Sequence, residues 1–274
     1  MQNSSMPTVK NKGIYLLPNL LTTAGLFSGF YAVIASMNER FEASAIAIFV
    51  AMIFDGLDGR MARLTNTQSA FGAEYDSMAD MVSFGMAPAL IAYNWGLSEL
   101  GKIGWLACFI YCAGAALRLA RFNTQVGIAD KRYFQGLASP AAAAIIAGTV
   151  WLGQDYGIDS SSVSWLFGLI TAATGLLMVS NFRYASFKEI DWRGKVNFVV
   201  MLLVVAVFVV VSVDPALILC CLFYLYACSG PFTTFRSVDK LKVSDVIGDD
   251  DIEPILPTST NSETSDKTTT ASKE

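Results

Sequence analysis

The residues of this chain best suited to chemistry lie in one stretch, DGLDGRMARLTNTQSAFGAEYDSMAD, which runs from Asp55 to Asp80. Its two ends carry pairs of aspartates, Asp55 with Asp58 and Asp76 with Asp80, at the junction of two strongly apolar segments. A carboxylate at a membrane boundary is costly unless it pairs with a cation, becomes protonated or binds a metal. Four aspartates at fixed spacing therefore indicate a divalent-metal site.

The spacing of the aspartates predicts how they converge. Asp55 and Asp58 are three residues apart and Asp76 and Asp80 four apart, so each pair shares one helical face. If the two helices are antiparallel neighbours, all four carboxylates meet, and their repulsion requires cations between them. Oxygen ligands without His or Cys favour Mg²⁺ or Mn²⁺ over Zn²⁺, and four carboxylates suit two ions.

The neighbours of the aspartates extend this interpretation. Gly59 and Gly72 allow a backbone or ligand to approach closely, and Ala62 keeps the same face open. Arg63 offers a planar fork that matches phosphate oxygens. Together these residues indicate phosphoryl-transfer machinery. The alternative, a salt-bridge network at the membrane edge, does not require four aligned acids together with the glycines and Arg63.

The composition predicts the elements that position these residues. The chain is 54% hydrophobic and only 15% charged, with a mean hydropathy of +0.48, which is typical of a polytopic membrane protein. We predict an all-α transmembrane bundle of about eight helices. The predicted spans are residues 14–37, 43–64, 72–93, 103–121, 138–153, 162–181, 196–212 and 215–230.

The basic residues predict the orientation of this bundle in a cytoplasmic membrane. Only Arg40 and Lys102 fall on one side of the predicted spans. The positive-inside rule then places both termini and the aspartate stretch at the cytoplasmic face. The basic residues on that face are Lys10, Lys12, Arg60, Arg63, Arg118, Arg121, Lys131, Arg132, Arg183, Lys188, Arg193, Lys195 and those of the tail.

The domain organisation follows from the same patterns. We expect a cytoplasmic N-terminal segment at residues 1–13 and one transmembrane domain at residues 14–236. Residues 237–274 are rich in Ser, Thr, Asp, Lys and Glu, which predicts a disordered cytoplasmic tail without chemistry of its own.

Several function classes are excluded by what the chain lacks. It has no histidine, which excludes Ser-His-Asp hydrolysis, HExxH zinc chemistry and histidine-ligated haem. It also has no Walker loop and no GxGxxG fingerprint. The five cysteines lie in apolar segments, where we interpret them as small hydrophobic side chains. The net charge of −4 gives no electrostatic reason to expect nucleic-acid binding.

The aspartate stretch fits the pattern D-x2-D-G-x2-A-R-x8-G-x3-D-x3-D at every position. This pattern resembles the signature of the CDP-alcohol phosphotransferases, which displace CMP from a CDP-linked lipid or alcohol with a second alcohol and use two divalent cations. The resemblance implies that all four aspartates are metal ligands and that Asp80 is also the general base. It further implies that Asp58, Gly59, Ala62, Arg63 and Gly72 contact the CDP group.

Other segments resemble the phosphatidylserine synthase branch of that family. They are LLPNLLTTAGLFSGFYA from residue 16, RLARFN from residue 118, FQGLASPAAAA from residue 134 and SNFRYASFK from residue 180. The resemblance implies that Asn19 and Thr22 lie near the nucleotide. One departure is Ala138, where the branch usually has proline, and we expect it to alter loop stiffness rather than activity.

Basic residues near the fourth predicted span are candidates for the acceptor site. Arg118 and Arg121 share a helical face and supply the positive charge that a serine carboxylate or a lipid phosphate needs. Asn123 is a candidate for orienting the acceptor. For Lys131 and Arg132, a role in setting topology and contacting anionic lipids explains the charge equally well.

These expectations combine into one function. The chain is expected to transfer the phosphatidyl group of CDP-diacylglycerol to L-serine with Mg²⁺ or Mn²⁺ as cofactor. Membrane lipids and a second copy of the chain, packed through its small-residue stretches, are expected partners. The alternatives are another acceptor, such as glycerol 3-phosphate, an inositol phosphate or choline, and a divalent-cation transporter. Arg63 beside the acids argues against transport because it repels cations.

Overall fold

The computed structural model of this protein describes residues 16–125, 133–185 and 198–247. The N-terminal segment at residues 1–13, Lys131, Arg132 and residues 248–274 lie outside these ranges. Within them the chain is helical except for one pair of short strands. The elements are α1 (Leu16–Met37), α2 (Phe41–Leu64), α3 (Ala70–Asp80), α4 (Ala87–Trp95), α5 (Lys102–Gln125), β1 (Tyr133–Gln135), α6 (Ser139–Asp155), α7 (Ser160–Val179), β2 (Arg183–Ala185), α8 (Phe198–Val213) and α9 (Pro215–Ile247).

Each predicted apolar span coincides with a helix or a run of helices, and four helices meet the length and hydropathy that a membrane span needs. These are α1, α5, α7 and the Pro215–Thr234 part of α9, among the described residues. The other helices fall short for identifiable reasons, since α6 and α8 have 17 and 16 residues and α2 carries several charges. The protein is therefore a predominantly helical membrane protein with four evident spans among its described residues.

The chain divides into two units, Met1–Phe235 and Arg236–Glu274. In the first, α1 packs against both α2 and α3, α2 against α6, and α5 against α7. In the second, the backbone is described as helical up to Ile247, beyond the start of the predicted disordered tail at residue 237. The helix continues because no glycine or proline occurs between Pro231 and Gly248.

The turn between α2 and α3 places the two aspartate pairs opposite one another. Asn66 has a φ of 52°, a left-handed conformation that asparagine tolerates well. The Ser69 side chain then caps α3 by accepting a hydrogen bond from the Gly72 backbone N–H at 3.0 Å. Asp58 and Asp76 are the same number of residues from the turn along their helices. The distances of Asp55 and Asp80 from the turn differ by only one residue.

A π-helical segment, Met81–Met86, joins α3 to α4 immediately after Asp80. Tyr111 of α5 is completely buried, and its hydroxyl donates a hydrogen bond to the Phe84 carbonyl at 2.9 Å. The Ser83 hydroxyl donates to the Gly25 carbonyl of α1 at 3.2 Å. These contacts hold the segment against α1 and α5. Because a π segment changes the rotational register of the helix residues on either side, the same contacts hold that register.

Glycines set the close packing of α5 against α7. A Cβ added to Gly114 would collide with the backbone carbonyl of Gly175, and one added to Gly175 would lie 2.6 Å from the Tyr111 Cα. Neither obstacle is a flexible side chain, so the helices would have to separate.

Replacing Gly114 by alanine is therefore expected to destabilise the fold by about 1–3 kcal/mol. The measurement is the midpoint of thermal unfolding in detergent. Gly56→Ala is the matched control, because nothing lies within 4 Å of a Cβ at that helical glycine. An unchanged midpoint for Gly114→Ala would contradict the packing described above.

Candidate active site

Three of the four aspartates converge as the sequence predicts. Asp55 of α2 and Asp76 and Asp80 of α3 each offer one carboxylate oxygen, and these oxygens lie within 4.8 Å of one another. The two helices bring them together because α1 packs against both. A cluster of this size is suited to a divalent cation with oxygen ligands.

Asp58, the fourth aspartate, lines the same cleft but is held by α1. It is only 4% exposed and accepts a hydrogen bond of 2.6 Å from the Thr22 hydroxyl. Thr22 itself is buried, and its hydroxyl also lies 3.1 Å from the Pro18 carbonyl. Because a buried carboxylate needs donors, Thr22 fixes the orientation of Asp58.

The cleft combines these carboxylates with small apolar side chains. The space within it is about 10 Å³, enough for one water-sized species. The residues that line it are Thr22, Gly25, Leu26, Ala51, Asp55, Asp58, Asp76, Ala79, Asp80, Ser83 and Phe84.

The alternative of a salt-bridge network is not what the structure contains. Within the described ranges, none of the four aspartates forms an ion pair with lysine or arginine. Clustered carboxylates that form no ion pair repel one another, and hard oxygen donors suit Mg²⁺ or Mn²⁺. The residues present therefore fit a divalent metal.

The candidate nucleotide-binding residues lie on the open side of α2 and at the start of α3. Nothing lies within 4 Å of a Cβ added at Gly59, so its face is free. Arg63 is exposed, and its Nε donates to the Gly59 carbonyl at 3.0 Å. A Cβ at Gly72 would lie 3.5 Å from the Asn19 side-chain oxygen, which places α1 beside this surface. Ala62 is partly buried on the same helix.

The candidate acceptor residues do not share one set of contacts. Arg118 interacts electrostatically with Asp80 and Asp55, which joins it to the cleft. Arg121 instead donates to the Asn181 side-chain oxygen at 3.3 Å. Asn123 exchanges hydrogen bonds of 3.2–3.3 Å with Ser77, the residue next to Asp76.

Sequence reasoning did not assign a role to three residues that contact the candidate site: Ser77, Ser139 and Asn181. Ser139 accepts a hydrogen bond of 2.6 Å from Arg118. Ser139 and Asn181 lie in FQGLASPAAAA and SNFRYASFK, two of the segments that resemble the phosphatidylserine synthase branch. That resemblance is the sequence signal that points to these two residues. Ala138, the departure from that branch, has a φ of −63°, a value that proline would also adopt.

Fold and site together define a class: a helical membrane protein whose aspartates line a cleft suited to metal-assisted phosphoryl transfer. A family model described as CDP-alcohol phosphatidyltransferase matches residues 15–177, a range that holds the whole aspartate motif and Arg118. The chain belongs to the CDP-alcohol phosphatidyltransferase family.

Curated relatives agree with this membership. The chain is 39% identical over 196 residues to a protein of Helicobacter pylori, covering 72% of this chain and 83% of that protein. It is 31% identical over 226 residues to one of Mycobacterium leprae, covering 80% and 74%. It is 37% identical over 174 residues to one of Methanocaldococcus jannaschii, covering 64% and 76%. All three relatives are named CDP-diacylglycerol–serine O-phosphatidyltransferase.

Proposed function

We propose that this protein transfers the phosphatidyl group of CDP-diacylglycerol to the hydroxyl of L-serine, forming phosphatidylserine and CMP. The observation that carries the proposal is the cluster of Asp55, Asp76 and Asp80 inside the family motif, which forms no ion pair with lysine or arginine among the described residues. The names of relatives from bacteria and archaea support serine as the acceptor.

Divalent cations, two Mg²⁺ or Mn²⁺, are the proposed cofactors. Asp55, Asp76 and Asp80 would hold them, joined by Asp58, which lines the same cleft. A bound divalent cation would neutralise the diphosphate and the negative charge that develops on the departing CMP. Thr22 contributes by holding the Asp58 carboxylate in place.

Asp80 is the proposed general base. Its carboxylate takes the proton of the serine hydroxyl while the serine oxygen bonds to the phosphatidyl phosphorus. The bond from that phosphorus to the CMP oxygen breaks, so no covalent enzyme intermediate is needed. Support comes from the position of Asp80, which lines the cleft and interacts with the positive charge of Arg118.

The CDP group is proposed to bind along α1, the end of α2 and the start of α3. Gly59 and Gly72 leave room for the nucleotide, and Arg63 pairs with the diphosphate. The remaining proposed contacts are Asn19, Thr22, Asp58 and Ala62. Arg118, Arg121 and Asn123 are proposed to serve the acceptor or the lipid phosphate.

For the membrane arrangement we propose eight spans, with both termini and the cleft at the cytoplasmic face of the cytoplasmic membrane. Support comes from the agreement between the predicted spans and the observed helices and from the distribution of basic residues. Residues 14–236 form the proposed catalytic domain, residues 237–274 the cytoplasmic tail, and a homodimer the proposed assembly.

The test is CMP release by the purified protein in detergent with Mn²⁺ or Mg²⁺ and CDP-diacylglycerol. Each candidate acceptor is supplied in turn: L-serine, glycerol 3-phosphate, an inositol phosphate and choline. We expect release that depends on L-serine. If CMP is released only with another alcohol, the proposed chemistry stands and the acceptor is that alcohol instead of L-serine. No CMP release with any acceptor would contradict the proposal.

A further inference from the structure

The guanidinium group of Arg118 is only partly engaged by the protein. Its Nη1 donates a hydrogen bond of 2.6 Å to the hydroxyl of Ser139. Its Nε is buried and has no hydrogen-bond partner in the part of the chain that the structure describes. A buried N–H without an acceptor is unfavourable, so this nitrogen indicates a missing partner.

The atoms involved show which partner is missing. Nη1 is the terminal nitrogen on the Cδ side of the guanidinium plane, so Nε and Nη2 form the other edge. The N–H bonds along that edge run parallel and match the two oxygens of a carboxylate or phosphate. A single hydroxyl or carbonyl would satisfy only one of them.

Ser139 is placed to hold this geometry. It is completely buried at the first residue of α6, between Ala138 and Pro140. Pro140 restricts the backbone there, and Gly136, with a φ of 80°, packs against the backbone of Met178 and Ser180 at the end of α7. The hydroxyl is thus presented by a well-packed helix start rather than by a mobile loop.

We propose that Ser139 is a positioning residue: by holding Nη1 of Arg118 it presents the Nε–Nη2 edge to a substrate oxyanion next to Asp80. This inference rests on the proposed function and names a contributor that the family motif does not contain. The oxyanion is the carboxylate of an amino-acid acceptor or the phosphate of the CDP-lipid. In either case its binding brings the reacting groups towards the base.

The test compares Ser139→Ala, Ser139→Thr and wild type by steady-state CMP release. Ser164→Ala is the control, because Ser164 is also buried but its hydroxyl bonds the Ser160 carbonyl on α7. We expect Ser139→Ala to raise one KM about 10-fold. A rise in the KM for L-serine identifies the acceptor carboxylate, and a rise in the KM for CDP-diacylglycerol identifies the lipid phosphate. Ser139→Thr keeps the hydroxyl group, so its KM is expected to be close to that of wild type.

A double-mutant cycle separates positioning from general destabilisation. In an Arg118→Lys background, Ser139→Ala is expected to have little further effect, since its action passes through the guanidinium. Additive losses, or no change in either KM beyond the Ser164→Ala control, would overturn the inference. CMP release by wild type with L-serine tests the proposed function separately.

Thermal stabilisation of wild type and of Ser139→Ala by L-serine or CDP-diacylglycerol gives a readout without turnover. Equal stabilisation of both proteins would overturn the inference.

Discussion

Asp80→Asn is expected to lower the rate of CMP release at least about 1,000-fold. Asparagine has nearly the same shape as aspartate but cannot accept the proton of the acceptor hydroxyl and carries no charge for a cation. The measurement is CMP release at saturating CDP-diacylglycerol and L-serine. Thermal unfolding in detergent checks that the variant folds.

The matched control for this substitution is Asp155→Asn, which changes an exposed aspartate at the end of α6 and is expected to leave the rate unchanged. A titration with Mn²⁺ separates the two roles proposed for Asp80. Excess Mn²⁺ would restore the activity of Asp80→Asn if Asp80 were only a metal ligand, whereas the loss of a general base persists at saturating Mn²⁺. Near-normal activity of Asp80→Asn without excess Mn²⁺ would rule out both roles.

Gly59→Ala is expected to lower kcat/KM for CDP-diacylglycerol about 10- to 100-fold without loss of thermal stability. No atom of the protein lies within 4 Å of the added Cβ, and alanine favours a helix over glycine by about 1 kcal/mol. The added methyl group can therefore interfere only with a ligand that approaches this face of α2. The two measurements are steady-state kinetics and the unfolding midpoint.

Gly56→Ala supplies the control, because Gly56 lies on the same helix, is also exposed and also has open space around its Cα. Gly56 lies almost one helical turn before Gly59, at a position that the aspartate motif leaves open. We expect it to retain activity and to be at least as stable as wild type. Equal kinetic effects of the two substitutions would show that Gly59 has no special contact with the nucleotide.

Local sequence signals were sufficient for much of this protein. Because burial in a bilayer demands long apolar segments, the apolar runs predicted where the helices lie, with α3 and α4 falling in a single predicted span. The spacing of Asp55, Asp58, Asp76 and Asp80 predicted their shared faces, because helical periodicity alone decides which side chains point the same way. The family followed from the same residues and is confirmed by the match over residues 15–177.

Other features were not visible in the sequence because they depend on contacts between distant segments. The π segment after Asp80 is held by Tyr111 and by the Gly25 carbonyl, each far from it along the chain. The predicted third span is consequently α3 and α4 joined by that segment rather than one regular helix. No local pattern specifies such an interruption, since the residues Met81–Met86 alone suit an ordinary α-helix.

Neighbouring residues and helical periodicity are enough to predict most helix positions, the two aspartate pairs and the chemistry that hard oxygen donors permit. Which side chains complete the site depends instead on contacts between distant segments. Thr22 reaches Asp58 because α1 packs against α2, and Ser139 holds Arg118 because the start of α6 comes within hydrogen-bond distance of α5. Hydrogen bonds between distant segments depend on packing in three dimensions, which one-dimensional spacing does not encode.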